Sequence, residues 1–352
     1  MKISFMLKRE DFYKINENTL GKYYQNAKSK KRLYIYPELN AIVTARPSKA
    51  VRDYLYTEFR VNGSPLKRLL VRVYAGALLN SSGLLASKSL KIRTAAHADT
   101  LIYPCNKKYR VFDFRKNQVS VFGKDGFPTD DLQREIAFRT RHTADFIPGL
   151  LTHDACGYTE VIIDGCPVAR SGARMKGLCD RAFSVWSDYV RRFTRSVPGA
   201  EYGQMLLRRI RELEDHAVKL GKQVDHALLY AVVDDCLNVM CGDPAQIPIS
   251  LSHGDLQPGN IWVENGTDKL YIIDWESWQE RSVWYDRAVL YENLRTKDGI
   301  TRYVKNRDLI HATVLLEDVL FRLTELTSLP LDYGCREFDD YITALRRGNT
   351  DV

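Results

Sequence analysis

The chain has 352 residues, 45% apolar and 27% charged, with a formal net charge of +8. That composition excludes a mainly disordered or low-complexity protein, and the length asks for two or three core-bearing units. No run of roughly 18 apolar residues occurs, so no membrane-spanning helix is expected. The opening "MKISFMLKREDFYK" is broken by charge where a secretory signal needs a long apolar core, so a cytoplasmic location is expected. The seven cysteines are odd in number and form no C-x-x-C pair. They read as small hydrophobes in a reducing compartment rather than as a disulfide or zinc framework.

The charge is uneven. Residues 1–100 hold 19 Lys and Arg against 7 Asp and Glu, or +12, and the rest holds 33 against 37, or −4. Two readings of the basic part stand side by side: a solvated face, or contact with an anionic ligand or membrane surface. No nucleic-acid module accompanies the charge, so no nucleic acid is expected as a partner.

In chain order, residues 1–95 form a basic extension of unknown role. "RLYIYPELNAIVTA" (Arg32 to Ala45) reads as strand. A helix follows, with Ser64 able to cap and Pro65 suited to the first turn. Leu66, Leu69, Leu70 and Val73 recur at helical spacing, and Lys67, Arg68 and Arg72 line the other side. Such a helix packs on a core or lies on an anionic bilayer. "TLIYPC", "YRVFDF" and "QVSVFGK" then read as three strands separated by "NKK" and "RKN" turns. "PTDDLQREIAFRTRH" reads as a helix and "GYTEVIIDGCP" as a strand running into a turn. From 168 onward the periodicity is helical, interrupted by a hairpin around Asn265-Gly266. The fold class is α+β: an antiparallel-sheet unit with one helix over 96–167, then a mainly helical unit over 168–352.

The most informative stretch is "LSHGDLQPGNIWV", Leu251 to Val263, followed by "YIIDWE", Tyr271 to Glu276. If the strands at 261–263 and 271–273 pair, the loop and the end of the second strand come together. Asn260 and Asp274 then offer oxygen ligands to a hard divalent ion. Asp255 remains beside them as a carboxylate able to orient a hydroxyl and accept its proton.

These residues carry a family resemblance. H-G-D-L-x-P-x-N at His253 to Asn260, with I-D-W-E at Ile273 to Glu276, resembles the aminoglycoside phosphotransferase and choline kinase family. The resemblance implies a two-lobed protein-kinase-like fold, ATP and Mg2+ as cofactors, and transfer of the γ-phosphate to a hydroxyl acceptor. It implies Asp255 as catalytic base and Asn260 and Asp274 as metal ligands. It asks for a phosphate-binding lysine on a strand and a glutamate on the next helix. Lys124 of "VFGK" and Glu135 of "REIAFR" fit, with Lys107, Lys108 and Lys116 as rivals. "TEVIIDG" is the implied hinge, its backbone from Glu160 to Ile162 meeting the adenine. His253 and Asp286 are implied as braces of the loop.

The chain departs from the kinase pattern in its glycine-free "PCNKK" turn. Gly254 and the DWE tripeptide, where protein kinases carry HRD and DFG, count against a protein kinase. A sugar or glycan hydroxyl, on a surface polysaccharide or lipid-linked precursor, is the expected acceptor. An aminoglycoside- or choline-type kinase and a nucleotide-binding pseudokinase or scaffold remain as alternatives. Residues 1–95 add an expected peripheral contact with the inner face of an anionic membrane.

Overall fold

The computed structural model describes residues 9–58, 65–222, 224–306 and 308–328, with 338, 340, 341 and 343–345. The chain divides into two compact units, one of residues 1–136 and 149–163, the other of 137–148 and 164–352.

The first unit is built on β1 (Lys30–Tyr36), β2 (Ala41–Val43), β3 (Lys88–Arg93), β4 (Thr100–Pro104), β5 (Lys108–Asp113), β6 (Gln118–Gly123), β7 (Leu150–His153) and β8 (Gly157–Val161). They form one sheet in the order β3-β1-β2-β4-β5-β6-β8-β7. Every pairing is antiparallel. The single strand expected over Arg32–Ala45 is a hairpin instead. Pro37–Leu39 makes a 3-10 turn, and Asn40 takes the left-handed region at φ 47. The Asn40 amide returns to the Pro37 carbonyl at 2.9 Å, and its side chain donates to the Pro104 carbonyl at 2.8 Å. Asparagine tolerates that backbone better than most residues, which is how a proline-led turn closes here.

The helices of this unit, among the described residues, are α1 (Arg9–Tyr23), α2 (Lys49–Glu58), α3 (Pro65–Asn80) and, as far as Ile136, α4 (Asp130–Arg141), whose last turns belong to the second unit. Acidic residues open α4 and basic ones close it, as the helix dipole favours. Tyr36, Val43, Leu101, Phe112, Val121 and Tyr158 join Leu55, Leu78, Leu79 and Leu132 in one apolar cluster. The class is α+β, as the sequence indicates, but the sheet is longer than a small lobe with one helix. The sequence leaves open whether the first 95 residues fold apart or extend that lobe. Residues 30–93 supply three strands of the same sheet, because Leu33, Ile35, Leu90 and Ile92 are buried along β1 and β3.

The second unit holds two three-stranded sheets. β10 (Arg195–Pro198), β11 (Gln246–Ser252) and β14 (Gln279–Ser282) form one, with β11 central. β9 (Gly165–Pro167), β12 (Ile261–Glu264) and β13 (Leu270–Ile272) form the other, with β12 central. The strand expected over Gly157–Pro167 is thus two: β8 in the first unit, and β9 paired with β12 in the second. Its helices include, among the described residues, α5 (Met175–Arg191), α6 (Gly199–Lys219), α7 (His226–Gly242), α8 (Tyr285–Tyr291), α9 (Lys297–Lys305) and α10 (Leu309–Ser328). Asp225 caps α7 through the Leu228 amide, and Thr296 caps α9 through the Gly299 amide.

α10 is buried at every residue from Ala312 to Leu320. Two of those residues are carboxylates. Glu317 accepts from the Tyr202 hydroxyl at 2.6 Å, the Ser282 amide at 2.5 Å and the Ser282 hydroxyl at 2.8 Å. It therefore ties α6 and β14 to α10. Burial outweighs these donors and pushes its pKa up to about 7. Between pH 4.5 and 7 the unfolded chain loses this proton while the folded chain keeps it, so stability falls as pH rises through that window. Glu317→Gln removes the fall. Denaturation at pH 5 and pH 8 will show the variant gaining on wild type at the higher pH, by up to about 3 kcal/mol. A pH-independent difference contradicts the assignment.

Candidate active site

The catalytic-loop motif begins where β11 ends. One buried carboxylate fixes its first three residues. Asp286, at the start of α8, accepts from the Ser252 hydroxyl at 2.9 Å, the His253 amide at 2.9 Å and the Gly254 amide at 3.0 Å. A fourth donor, the Trp186 indole N–H at 2.8 Å, holds the carboxylate itself. Gly254 sits at φ +81, and a Cβ there would lie 2.2 Å from the Ser277 carbonyl oxygen. Only glycine meets both demands.

His253 is fully buried and engaged at both ring nitrogens. Nδ1 accepts from the Asp255 amide at 3.2 Å, and Nε2 lies 2.9 Å from the Ile273 carbonyl, to which it donates. The ring has no lone pair left for a substrate proton. It braces the loop against the end of β13, over Trp275 at 4.5 Å between ring centroids. Trp275 packs in turn on Phe138 at 4.3 Å and Trp186 at 5.3 Å. These rings form, with Leu256, Ile261 and Ile272, a small core beneath the loop and hairpin.

On this base the structure brings together Asp255, Asn260 and Asp274. β12 and β13 pair as expected, Ile261 with Ile272 and Val263 with Leu270. The Ile273 amide donates to the Asn260 carbonyl at 2.9 Å, which ties the end of the loop to the residue before Asp274. The Asn260 side-chain amide donates to the Asp255 carbonyl at 2.8 Å and to Asp255 Oδ2 at 3.0 Å. Gln257 gives Oδ2 a second donor at 3.0 Å. Asp274 is a non-glycine residue at φ 70, a strained backbone of the kind that clusters at functional sites. Burial pushes the Asp255 carboxyl above its ordinary range, and the Asp274 charge adds to the push. The Arg295 charge pulls it back.

This donor set suits a hard cation. The amide nitrogen of Asn260 is spent on Asp255, which leaves Oδ1 on the opposite arm as the ligand atom. Asp274 adds carboxylate oxygen, and a cation relieves the repulsion between the two carboxylates. Magnesium fits oxygen donors of this number.

Arg295 has no sequence signal in the motif. Its guanidinium donates to the Gly254 carbonyl at 2.6 Å and to the Tyr285 hydroxyl at 2.9 Å. It faces Asp318 of α10 at 3.5 Å and stacks on Phe321 at 3.3 Å. Asp318 also receives the Tyr285 hydroxyl at 3.1 Å. The only hint in the sequence is the Glu317-Asp318 pair inside the apolar run of α10, which demands buried partners.

In the first unit the expected pair of Lys124 and Glu135 is not the pair observed. Glu135 receives Lys108 at 3.0 Å and the Tyr158 hydroxyl at 2.9 Å. Lys124 lies past the end of β6, donates to the Cys105 carbonyl and sits over the Tyr109 and Phe127 rings. Burial lowers its pKa to about 8. The spacing rule points to Lys124 because it reads along one strand. The register that sets Lys108 opposite Gly123 crosses two. Glu160 pairs in β8 with Val119 and Leu150. The Ile162 amide is engaged by the Asn117 carbonyl at 3.2 Å, so it is not the donor expected for a base edge.

Comparison with known proteins agrees with this reading of the loop. Residues 191–308, about a third of the chain, match the phosphotransferase enzyme family (APH). The matched residues all lie within the second unit. Among solved structures it is similar to an ethanolamine kinase of Plasmodium vivax. That match has 14% identity and a TM-score of 0.49, over 86% of this chain and 95% of that one. It is also similar to a choline kinase of Cryptosporidium parvum, at 13% identity and TM-score 0.46 over 73% and 91%. An aminoglycoside-3'-phosphotransferase of type VIII gives 13% and 0.38 over 71% and 94%. No curated protein sequence matches the chain.

Arg295→Met tests the missed residue. It leaves Asp318 with Arg322 at 3.7 Å and the Tyr285 hydroxyl as its remaining partners, and costs about 1–3 kcal/mol of stability. It also removes a positive charge facing Asp255, so the acid limb of the pH–rate profile moves to higher pH. Arg295→Lys keeps a positive charge at this place and keeps the profile. Arg295→Met with the wild-type profile contradicts this role.

Proposed function

We propose that the chain transfers the γ-phosphate of ATP to a hydroxyl of a sugar or glycan acceptor, a surface-polysaccharide or lipid-linked precursor among them. The observation that carries the reading is the Asp255-Asn260-Asp274 constellation, held by Asp286, Gly254 and His253. Asp255 orients the acceptor hydroxyl and takes its proton. Burial makes it a stronger base than an exposed carboxylate, and the Arg295 charge limits that rise. Asn260 and Asp274 hold magnesium, which supplies charge to the transferring phosphoryl oxygens when bound. Lys108, oriented by Glu135, is the first unit's cation for the nucleotide phosphates. It takes the role that spacing assigns to Lys124.

A magnesium-dependent ATP-consumption assay across sugars, anionic glycans, choline-like amines and aminoglycosides tests this reading. Acceptor-stimulated turnover by wild type, lowered about 10²- to 10⁴-fold in Asp255→Asn with nucleotide binding kept, is expected. Lys108→Met will raise the KM for ATP, and Lys124→Met will leave it near wild type. Undiminished turnover in Asp255→Asn contradicts the base. ATP binding without turnover for any acceptor favours a nucleotide-binding scaffold.

A further inference from the structure

The basic character of the first hundred residues is concentrated in one place. From residue 59 to residue 98 the sequence has seven Lys and Arg and no Asp or Glu. β3 lies in that stretch and closes one edge of the sheet against β1. The register sets Lys30 opposite Arg93 and Arg32 opposite Lys91. Directly opposed residues of an antiparallel pair share a face, and positions two apart along a strand share it too. Four exposed cations therefore stand together on one face. Like charges so paired destabilise a sheet, so this arrangement has a cost that folding alone does not explain.

Farther along β1 the same face is covered: Tyr34 is half-buried, and Tyr36 is buried in the cluster that takes Ala75, Leu78 and Leu79 of α3. Gly83, just after α3, lies so close to Tyr34 that a Cβ would meet the ring at 2.0 Å. The two residues that follow, Leu84 and Leu85, are 90% and 56% exposed. On α3 the side away from its buried residues shows Leu69, Leu70 and Val73, each more than half exposed. Leucines at such exposure beside a cation cluster need a partner that is both anionic and apolar.

We infer that this face, formed by Lys30, Arg32, Lys91 and Arg93 with the Leu84-Leu85 loop and the outer side of α3, docks on an anionic lipid surface. The cations meet the headgroups and the leucines enter the acyl boundary. A second copy of the chain is a poor occupant, because the patch would meet its own charge. Nucleic acid or an acidic protein satisfies the cations but gives the leucines no apolar phase. The inference gives a location to the lipid-linked acceptor of the preceding reading, but it stands on the surface alone.

Sedimentation of the full chain with phosphatidylcholine vesicles, with and without phosphatidylglycerol, tests it. Binding to the anionic vesicles only, weakened by salt, is expected. Two variants follow. Leu84→Ser/Leu85→Ser changes only exposed side chains. Arg32→Glu turns a like-charge pair with Lys91 into an attractive one, so folding is favoured while docking is lost. Each will weaken vesicle binding at least about tenfold. Neither will alter turnover with a water-soluble acceptor, so failure here is distinct from failure of the phosphotransfer reading. No binding to anionic vesicles, unchanged binding of both variants, or binding to polyglutamate without binding to vesicles overturns the proposal.

Discussion

The candidate site depends on one buried carboxylate. Asp286 takes four hydrogen bonds, three of them from consecutive residues of the catalytic loop. A loop that leaves a strand and turns at once has several amides with no ladder to join. Asp286 collects them, and the turn that results forces Gly254 into a backbone only glycine adopts easily. His253 then links the same loop to the end of β13. Asp255, Asn260 and Asp274 converge because these two ties fix both sides of the hairpin.

A second layer lies behind the first. Arg295, Tyr285 and Asp318 form a buried charged group that reaches the loop through the Gly254 carbonyl. Buried ion pairs of this kind contribute little net stability, and removing one member is costly. Their worth here is positional: they join α10, buried without a break from Ala312 to Leu320, to the residue before Asp255. Glu317 does the same for β14 and α6 from the neighbouring position on that helix.

The sequence made the local chemistry legible and left the long-range pairings hidden. The H-G-D-x-x-x-x-N spacing and the hairpin led directly to Asp255, Asn260 and Asp274, because all three lie within a stretch whose geometry is local. The partner of Glu135 was not legible. Lys124 and Lys108 are both near the right strand ends, and only the register of β5 against β6 decides between them. Arg295 was invisible for a like reason, since its partners lie 41 residues before it and on α10 after it. The hairpin hidden in Arg32–Ala45 was missed because Pro37 and Asn40 sit within an otherwise continuous apolar run. The excess of charge in the first hundred residues was legible as a number. The pairing of Lys30 with Arg93 and Arg32 with Lys91 on one face was not.

The central claim is that Asn260 and Asp274 hold the metal while Asp255 stands beside it as the base. Manganese(II) in place of magnesium separates the two roles by electron paramagnetic resonance, with ADP present. Wild type and Asp255→Asn will bind the ion alike, and Asp274→Ala will lose it. Manganese held as tightly by Asp274→Ala as by wild type, or lost in Asp255→Asn alone, contradicts the assignment.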